Sequence, residues 1–192
     1  MLGLNVGCGS NKIEGYINID TEESCKPDLI HNMLEKPLPY ETGTVDRILF
    51  FHCIEHIRKG YHLGILAEFY RVLKPEGQIF ISYPNFWECA RLWHDNAGAK
   101  RNFWEATIFG RQLYETDYHV CAMNPDELAE MLDRCGFKQI ISCPEPNEPY
   151  NAITYALKGD IVVSNYEQLV ANNIKKESFT VETARRALYQ FQ

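Results

Sequence analysis

Residues 4–20 read LNVGCGSNKIEGYINID, two strand-like runs that each end in residues suited to holding a ligand. The first run, at 2–7, leads into Gly7-Cys8-Gly9-Ser10, where glycines permit a tight turn and let a ligand lie against bare backbone. The second run, at 16–20, ends at Asp20, a carboxylate that can accept hydrogen bonds from both hydroxyls of a ribose. The stretch therefore predicts a ligand site built on two neighbouring parallel strands.

The spacing of the glycines argues against a dinucleotide. A dinucleotide fingerprint requires a third glycine at the start of a helix that holds the pyrophosphate, and this position is Lys12. A site for a nucleoside without phosphates needs the glycine turn and a carboxylate that binds the ribose, but it needs no third glycine. S-adenosylmethionine is such a ligand.

Strand-like runs alternate with helical patterns along the chain. One helix is predicted at 61–73, where apolar residues recur at helical spacing, and a turn at 74–77 is expected to end it. A second helix is predicted to begin at Asn124-Pro125 and to end at Gly136. This alternation predicts a doubly wound, mostly parallel α/β sheet with its ligands beyond the carboxyl ends of the strands. The predicted strands lie at 2–7, 16–20, 28–33, 45–51, 77–83, 137–143 and 152–158.

Length and composition predict one domain in a reducing compartment. The chain has 192 residues, and its net charge of −7 argues against a nucleic acid partner, because neutralising phosphates requires clustered Lys and Arg. The seven cysteines include no C-x-x-C pair, so neither a disulfide framework nor a zinc ribbon is indicated. No apolar run approaches the roughly 18 residues that a membrane helix needs. We therefore expect a soluble, cytoplasmic protein that makes no contact with a membrane.

Several segments, in this order and spacing, resemble the class I S-adenosylmethionine-dependent methyltransferases. LNVGCGS is similar to the first motif of that family, INID to its second strand, and LPYETGTVDRILFFHCIEHI to the segment leading through its fourth strand. FYRVLKPEGQIFISYPN is similar to the helix, turn and fifth strand that follow, and the resemblance covers roughly residues 2–158. It implies a Rossmann-like, seven-stranded sheet with an antiparallel last strand, as one domain at 1–159. An aromatic-rich insertion is expected at about 85–120 and a C-terminal helical extension at 160–192.

The same resemblance assigns the binding of S-adenosylmethionine residue by residue. Asp20 would hold the ribose, and His52 would lie beside the methionine end and the transferable methyl. Asn32 stands where the family usually has an Asp, so it keeps an acceptor for the adenine amino group but lacks the charge. The expected cofactor residues are Gly7, Cys8, Gly9, Ser10, Asp20, Asn32, Met33 and His52.

One departure from the family concerns the connection after the glycines. Only ten residues separate Gly9 from Asp20, and they include Gly15. The long helix that usually joins these two strands must therefore be a single turn or absent. We expect the cofactor pocket to be more open on that side.

A competing interpretation comes from FFHCIEHI at 50–57, because His52, Glu55 and His56 fit the H-x-x-E-H pattern of zinc hydrolases. That site requires all three residues on one continuous helix. The β-type run VDRILFF leads straight into His52, which predicts that His52 ends a strand while Glu55 and His56 belong to a short helix beyond it. His56 is then expected to be a buried, hydrogen-bonded residue that fastens the loop after the fourth strand, and no metal is expected.

The candidate catalytic residues are His119 first, then His52 and Glu55. Tyr118 and His119 precede the helix at 125, where the family often places substrate-facing side chains, but an ordinary packed loop is a slightly simpler interpretation. The aromatic stretch at 85–104 is compatible with a substrate lid, a packing layer or the surface of a homodimer.

The expected activity is methyl transfer from S-adenosylmethionine to a small molecule, most simply O-methylation of a sugar or metabolite, with S-adenosylhomocysteine as product. The acceptor class is implied by the resemblance alone. The alternative is a non-catalytic domain of the same fold that binds the cofactor or serves as a scaffold. Such a domain has typically lost the glycines of the turn or the carboxylate expected to bind the ribose, and both are present here.

Overall fold

A computed structural model describes residues 1–113 and 116–159, and it shows one seven-stranded sheet in the order β3-β2-β1-β4-β5-β7-β6. β1 to β5 pair in parallel, whereas β7 runs antiparallel to both β5 and β6. The predicted fold class, including the antiparallel last strand, is confirmed. The strands are β1 (Gly3–Val6), β2 (Tyr16–Asp20), β3 (Leu29–Ile30), β4 (Val45–Phe51), β5 (Leu73–Pro84), β6 (Phe137–Pro144) and β7 (Asn151–Lys158); the helices are α1 (Lys59–Val72), α2 (Phe86–Asp95), α3 (Ala99–Phe109) and α4 (Pro125–Arg134).

The core lies on both faces of the central strands. Ile48 and Phe50 of β4 belong to the larger apolar cluster together with Phe69 of α1 and Leu128 of α4. Leu49, between them in the strand, belongs to a smaller second cluster. Alternate side chains of a strand point to opposite faces, so an unbroken apolar strand indicates a sheet that is covered on both sides.

The helix at 125 has the predicted ends. Asn124 Oδ1 accepts a hydrogen bond from the Glu127 backbone N–H at 3.0 Å, and Pro125 occupies the first helical turn, where its missing N–H costs nothing. Gly136 follows the helix at a φ of +96°, a conformation that disfavours any residue with a side chain.

The predicted third strand at 28–33 is wrong in length, because only Leu29–Ile30 pairs with β2. The reason is local. Asn32 Oδ1 accepts a hydrogen bond from the Leu34 N–H at 3.0 Å, which turns the chain away from the sheet.

The start of the fifth strand also differs from the prediction of 77, because β5 begins at Leu73 immediately after α1. Leu73 pairs with Val45 and Gln78 with Arg47, so residues 74–77 form an excursion opposite the single residue Asp46. The predicted turn therefore exists, but it lies inside the strand.

The expected helical extension at 160–192 lies outside the residues that the structure describes. Within 1–113 and 116–159, none of the helices has the length and apolar character to cross a bilayer.

Candidate functional site

The glycine turn after β1 is shaped by two different requirements. Gly7 has a φ of +66°, and a side chain at this position would overlap with Cys53. Gly9 has a φ of +50°, but no atom lies within 4 Å of the place where its Cβ would stand. Gly7 is therefore needed for close packing, whereas Gly9 leaves open space beside its backbone.

Cys8, between the two glycines, is a buried packing residue rather than a reactive thiol. It is 4% exposed, and burial raises the pKa of its thiol to about 11. The thiol is thus protonated at neutral pH.

Asp20 connects the end of β2 to the glycine turn. Its Oδ2 accepts a hydrogen bond from the Gly9 N–H at 2.7 Å, and its Oδ1 accepts one from the Glu22 N–H at 2.9 Å. A carboxylate has about four lone-pair sites, so capacity for ribose hydroxyls remains.

No helix joins β1 to β2, as the short spacing predicted, and a buried amide network holds the connection instead. Asn5 Nδ2 donates to Asn18 Oδ1 at 2.9 Å, and the same Oδ1 accepts from the Ile13 N–H at 2.8 Å. Asn18 Nδ2 donates to Asp28 Oδ2 at 2.8 Å. Sequence reasoning missed these residues, although a polar residue inside each of two apolar strands is a signal that could have revealed them.

Asn32 and Met33 follow β3 beside the end of β2. The His31 N–H donates to the Asp20 carbonyl at 2.9 Å, which holds the start of this segment next to the predicted ribose acid. The two residues lie half-buried at the same edge of the sheet as Asp20.

His52 directly follows β4 with a φ of +47°, outside any helix, which confirms the predicted separation from Glu55 and His56 in the 3-10 turn Ile54–His56. Ser82 Oγ donates to a Glu145 carboxylate oxygen and lies 3.0 Å from His52 Nε2, which is then the donor. Partial burial lowers the pKa of His52, but the carboxylates of Glu55 and Glu145 outweigh that effect, so the net pKa shift is upward.

Glu55 is 2% exposed, and neither of its carboxylate oxygens has a hydrogen-bond partner. Its closest basic group, His52 Nδ1, lies 3.4 Å from Oε1 without the alignment of a hydrogen bond. A buried carboxylate without partners is costly, which indicates a site for a ligand or ion.

The loop around His119 is tied to the turn that contains Glu55. The Val120 N–H donates to the Glu55 carbonyl at 2.8 Å. His56 Nδ1 lies 3.0 Å from the Tyr118 carbonyl, so His56 is hydrogen-bonded to the loop as predicted, but it is half-buried rather than buried. The rings of His56 and His119 meet edge to face, with centroids 4.8 Å apart.

His119 and Glu55 line one small cavity of about 10 Å³, the size of a single water, whereas Tyr118 does not line it. Burial lowers the pKa of His119, partly opposed by Glu55, so its imidazole is neutral at neutral pH. Tyr118 is 45% exposed.

The aromatic stretch at 85–104 forms α2 and the first half of α3, which pack against each other. Trp87 and Phe103 are 67% and 52% exposed, while the Trp104 ring meets the Tyr150 ring at 5.0 Å. The two helices also supply part of the cavity wall, namely Phe86, Cys89, Thr107 and Ile108.

Comparisons with known proteins agree with this arrangement. A family model described as a methyltransferase domain matches residues 6–142, while no curated protein sequence matches. A SAM-dependent methyltransferase from Archaeoglobus fulgidus is similar in structure, with a TM-score of 0.58 and 16% identity over 81% of this chain and 85% of that chain.

Two further solved structures share the fold. A SAM-dependent methyltransferase from Methanosarcina mazei has a TM-score of 0.57 and 16% identity, and the match covers 82% of this chain and 92% of that chain. Human N-acetylserotonin methyltransferase, solved in complex with SAM, has a TM-score of 0.56 and 16% identity, over 82% of this chain and 47% of that chain. The family match, the sheet order and the glycine turn beside Asp20 lead to one conclusion: the chain belongs to the class I S-adenosylmethionine-dependent methyltransferases, and its cofactor is S-adenosylmethionine.

Proposed function

We propose that the enzyme methylates a hydroxyl oxygen of a small molecule, a sugar or another metabolite, and that this hydroxyl enters the cavity between Glu55 and His119. The observation on which the proposal rests is a buried carboxylate without hydrogen-bond partners beside a neutral imidazole. A hydroxyl is complementary to this pair, because it donates its hydrogen to an acceptor and keeps a lone pair for the methyl.

The cofactor would be held at the carboxyl ends of β1, β2 and β3. Open space beside Gly9 and free lone pairs on Asp20 fit the methionine part and the ribose, respectively. His52 would lie by the methyl, which the bound cofactor supplies on a sulfonium. The full proposed set is Gly7, Cys8, Gly9, Ser10, Asp20, Asn32, Met33 and His52.

His119, His52 and Glu55 would take different parts in catalysis. His119, which is neutral at neutral pH, is the first candidate to accept the proton of the hydroxyl. The raised pKa of His52 favours its protonated form, which suits positioning of the acceptor more than proton removal. Most of the rate acceleration would come from alignment of the acceptor oxygen with the sulfur-methyl bond of the cofactor.

The lid interpretation of α2 and α3 is supported by the four residues that they add to the cavity wall. The exposed Trp87 and Phe103 lie outside the cavity, and they suit the alternative of a homodimer surface. A nucleic acid acceptor is disfavoured by the net charge of −7.

Calorimetric titration with S-adenosylmethionine tests the cofactor site. We expect Asp20→Ala to weaken binding by about 100-fold, because charge-assisted hydrogen bonds contribute about 1.5–3 kcal/mol each. Glu14→Ala is the matched control, since it removes an exposed carboxylate from the same connection and should leave the affinity unchanged. Equal affinity of the two variants would refute the assignment of Asp20.

The acceptor class is tested with a methyl-labelled cofactor and mixtures of hydroxyl and amine compounds, with products identified by NMR. We expect the label on oxygen, in an O–CH₃ group. A label found solely on nitrogen or carbon would contradict the proposed O-methylation.

A further inference from the structure

We propose that Glu55, His56 and His119 form a binding site for one divalent transition-metal ion. One potential ligand atom from each residue lies within 4.8 Å of the other two. The ligand atoms of a bound ion lie roughly 3–3.5 Å apart, so side-chain rotation has to bring the three together by roughly 1 Å. This set differs from the H-x-x-E-H helix considered in the sequence, because His52 is replaced by a histidine from a distant loop.

Glu55 gives the strongest reason for an ion at this place. It is nearly inaccessible to solvent, and both carboxylate oxygens lack hydrogen-bond partners. The His52 imidazole lies 3.4 Å from Oε1 without forming a hydrogen bond, and a buried carboxylate normally has hydrogen-bonded partners or binds a metal. A divalent ion would satisfy this carboxylate directly.

The His56 imidazole is oriented as the imidazole of a metal ligand usually is. Nδ1 of His56 faces the Tyr118 carbonyl at 3.0 Å, and a carbonyl can only accept, so Nδ1 carries the hydrogen and Nε2 presents its lone pair. Hydrogen bonds of this kind fix the tautomer and the ring orientation of metal-binding histidines.

The backbone holds the three ligands together although they come from two parts of the chain. The Val120 N–H donates to the Glu55 carbonyl, which places His119 beside the 3-10 turn that contains both other ligands. The cavity next to Glu55 and His119 leaves room for one further ligand, such as a water.

The chemical type of the three ligands favours one class of ion. Two imidazoles and one carboxylate favour first-row transition ions such as Fe²⁺, Co²⁺ or Zn²⁺ over Mg²⁺ and Ca²⁺, which prefer oxygen ligands. With an ion bound, His119 and Glu55 would be ligands, so the role of His119 as proton acceptor proposed above would belong to the ion-free enzyme. An acceptor hydroxyl would then fill the open position, a consequence that rests on the function proposed above.

Titration of the full, chelator-treated chain with Co²⁺, followed by calorimetry and visible absorption, tests the site. We expect one ion per chain and at least about 100-fold weaker binding in both Glu55→Gln and His119→Ala, since loss of even an outer-shell partner costs 10–100-fold. His94→Ala is the matched control, because it removes an imidazole that is 84% exposed, and it should bind Co²⁺ as the unmodified chain does.

Absence of stoichiometric Co²⁺ binding, or unchanged affinity in both ligand variants, would overturn the proposal. Circular dichroism shows whether either ligand variant is misfolded. If one of them is, the Co²⁺ affinity of the other ligand variant tests the proposal. Asp20→Ala separates this site from the cofactor site: we expect it to lose S-adenosylmethionine affinity and to retain Co²⁺, and loss of both would contradict a separate metal site.

Discussion

Single residues in the glycine turn are constrained for different reasons, although the sequence shows them as equivalent. Gly7 combines a positive φ with contact to Cys53, whereas Gly9 has a positive φ and empty space beside it. A Cβ at either position is strained by the backbone, but only at Gly7 does it also collide with a neighbour.

We therefore expect Gly7→Ala to lower the free energy of unfolding by about 2–4 kcal/mol, from backbone strain together with overpacking. Gly9→Ala is the matched comparison, and it should cost about 1 kcal/mol from strain alone. Urea unfolding measures both. A larger loss for Gly9→Ala would contradict this account of the turn.

At the scale of secondary-structure elements, the boundaries of β2, β4 and α4 could be predicted because their signals are local. The signals for β2 and β4 are alternating or continuous apolar runs, and the signal for α4 is the capping sequence at Asn124-Pro125. The end of β3 and the start of β5 could not, because the Asn32 side chain ends one strand and pairing with Val45 extends the other. Pairing of this kind depends on a partner strand that is remote in sequence.

The β1–β2 connection supplies a prediction at this scale. Asn18→Ala leaves the Asn5 amide and the Ile13 N–H without their shared acceptor, and each unsatisfied buried group costs about 1–3 kcal/mol. We expect a loss of about 2–4 kcal/mol in the free energy of unfolding. Asn11→Ala, on the exposed side of the same connection, keeps the backbone carbonyl that Asn5 uses and should change stability by less than about 0.5 kcal/mol. Similar losses in the two variants would count against the network.

In the molecule as a whole, the site is assembled from segments that are far apart in the chain. His52 follows β4, Ser82 lies in β5 and Glu145 follows β6, yet hydrogen bonds connect the three. The sheet order brings β4 and β5 together, and β7 brings the end of β6 towards them. Burial lowers the pKa of His52 and the nearby Glu55 raises it, and the assembled sheet adds the further upward effect of the Glu145 carboxylate.

Glu145→Gln tests this coupling, because it removes the charge and keeps an acceptor for Ser82. NMR titration should show the His52 pKa above the usual 6.5 in the unmodified chain and lower in the variant, with a smaller decrease in Glu148→Gln. A raised folded-state pKa stabilises the fold below pH 6.5, and this contribution is lost as pH rises through the folded-state value. An unchanged His52 pKa in Glu145→Gln would contradict the coupling.

By itself, the sequence determined the fold class, the glycine turn and the absence of a helix between β1 and β2, because spacing and local backbone preference specify these features. It also separated His52 from the turn that contains Glu55 and His56. Only the tertiary structure decided that the Glu55 carboxylate is buried without hydrogen-bond partners and that His119 lines the same cavity. The physical reason is that burial and proximity arise from contacts between segments some 60 residues apart, such as His56 and the Tyr118 carbonyl, separated by 62 positions, which no local pattern encodes.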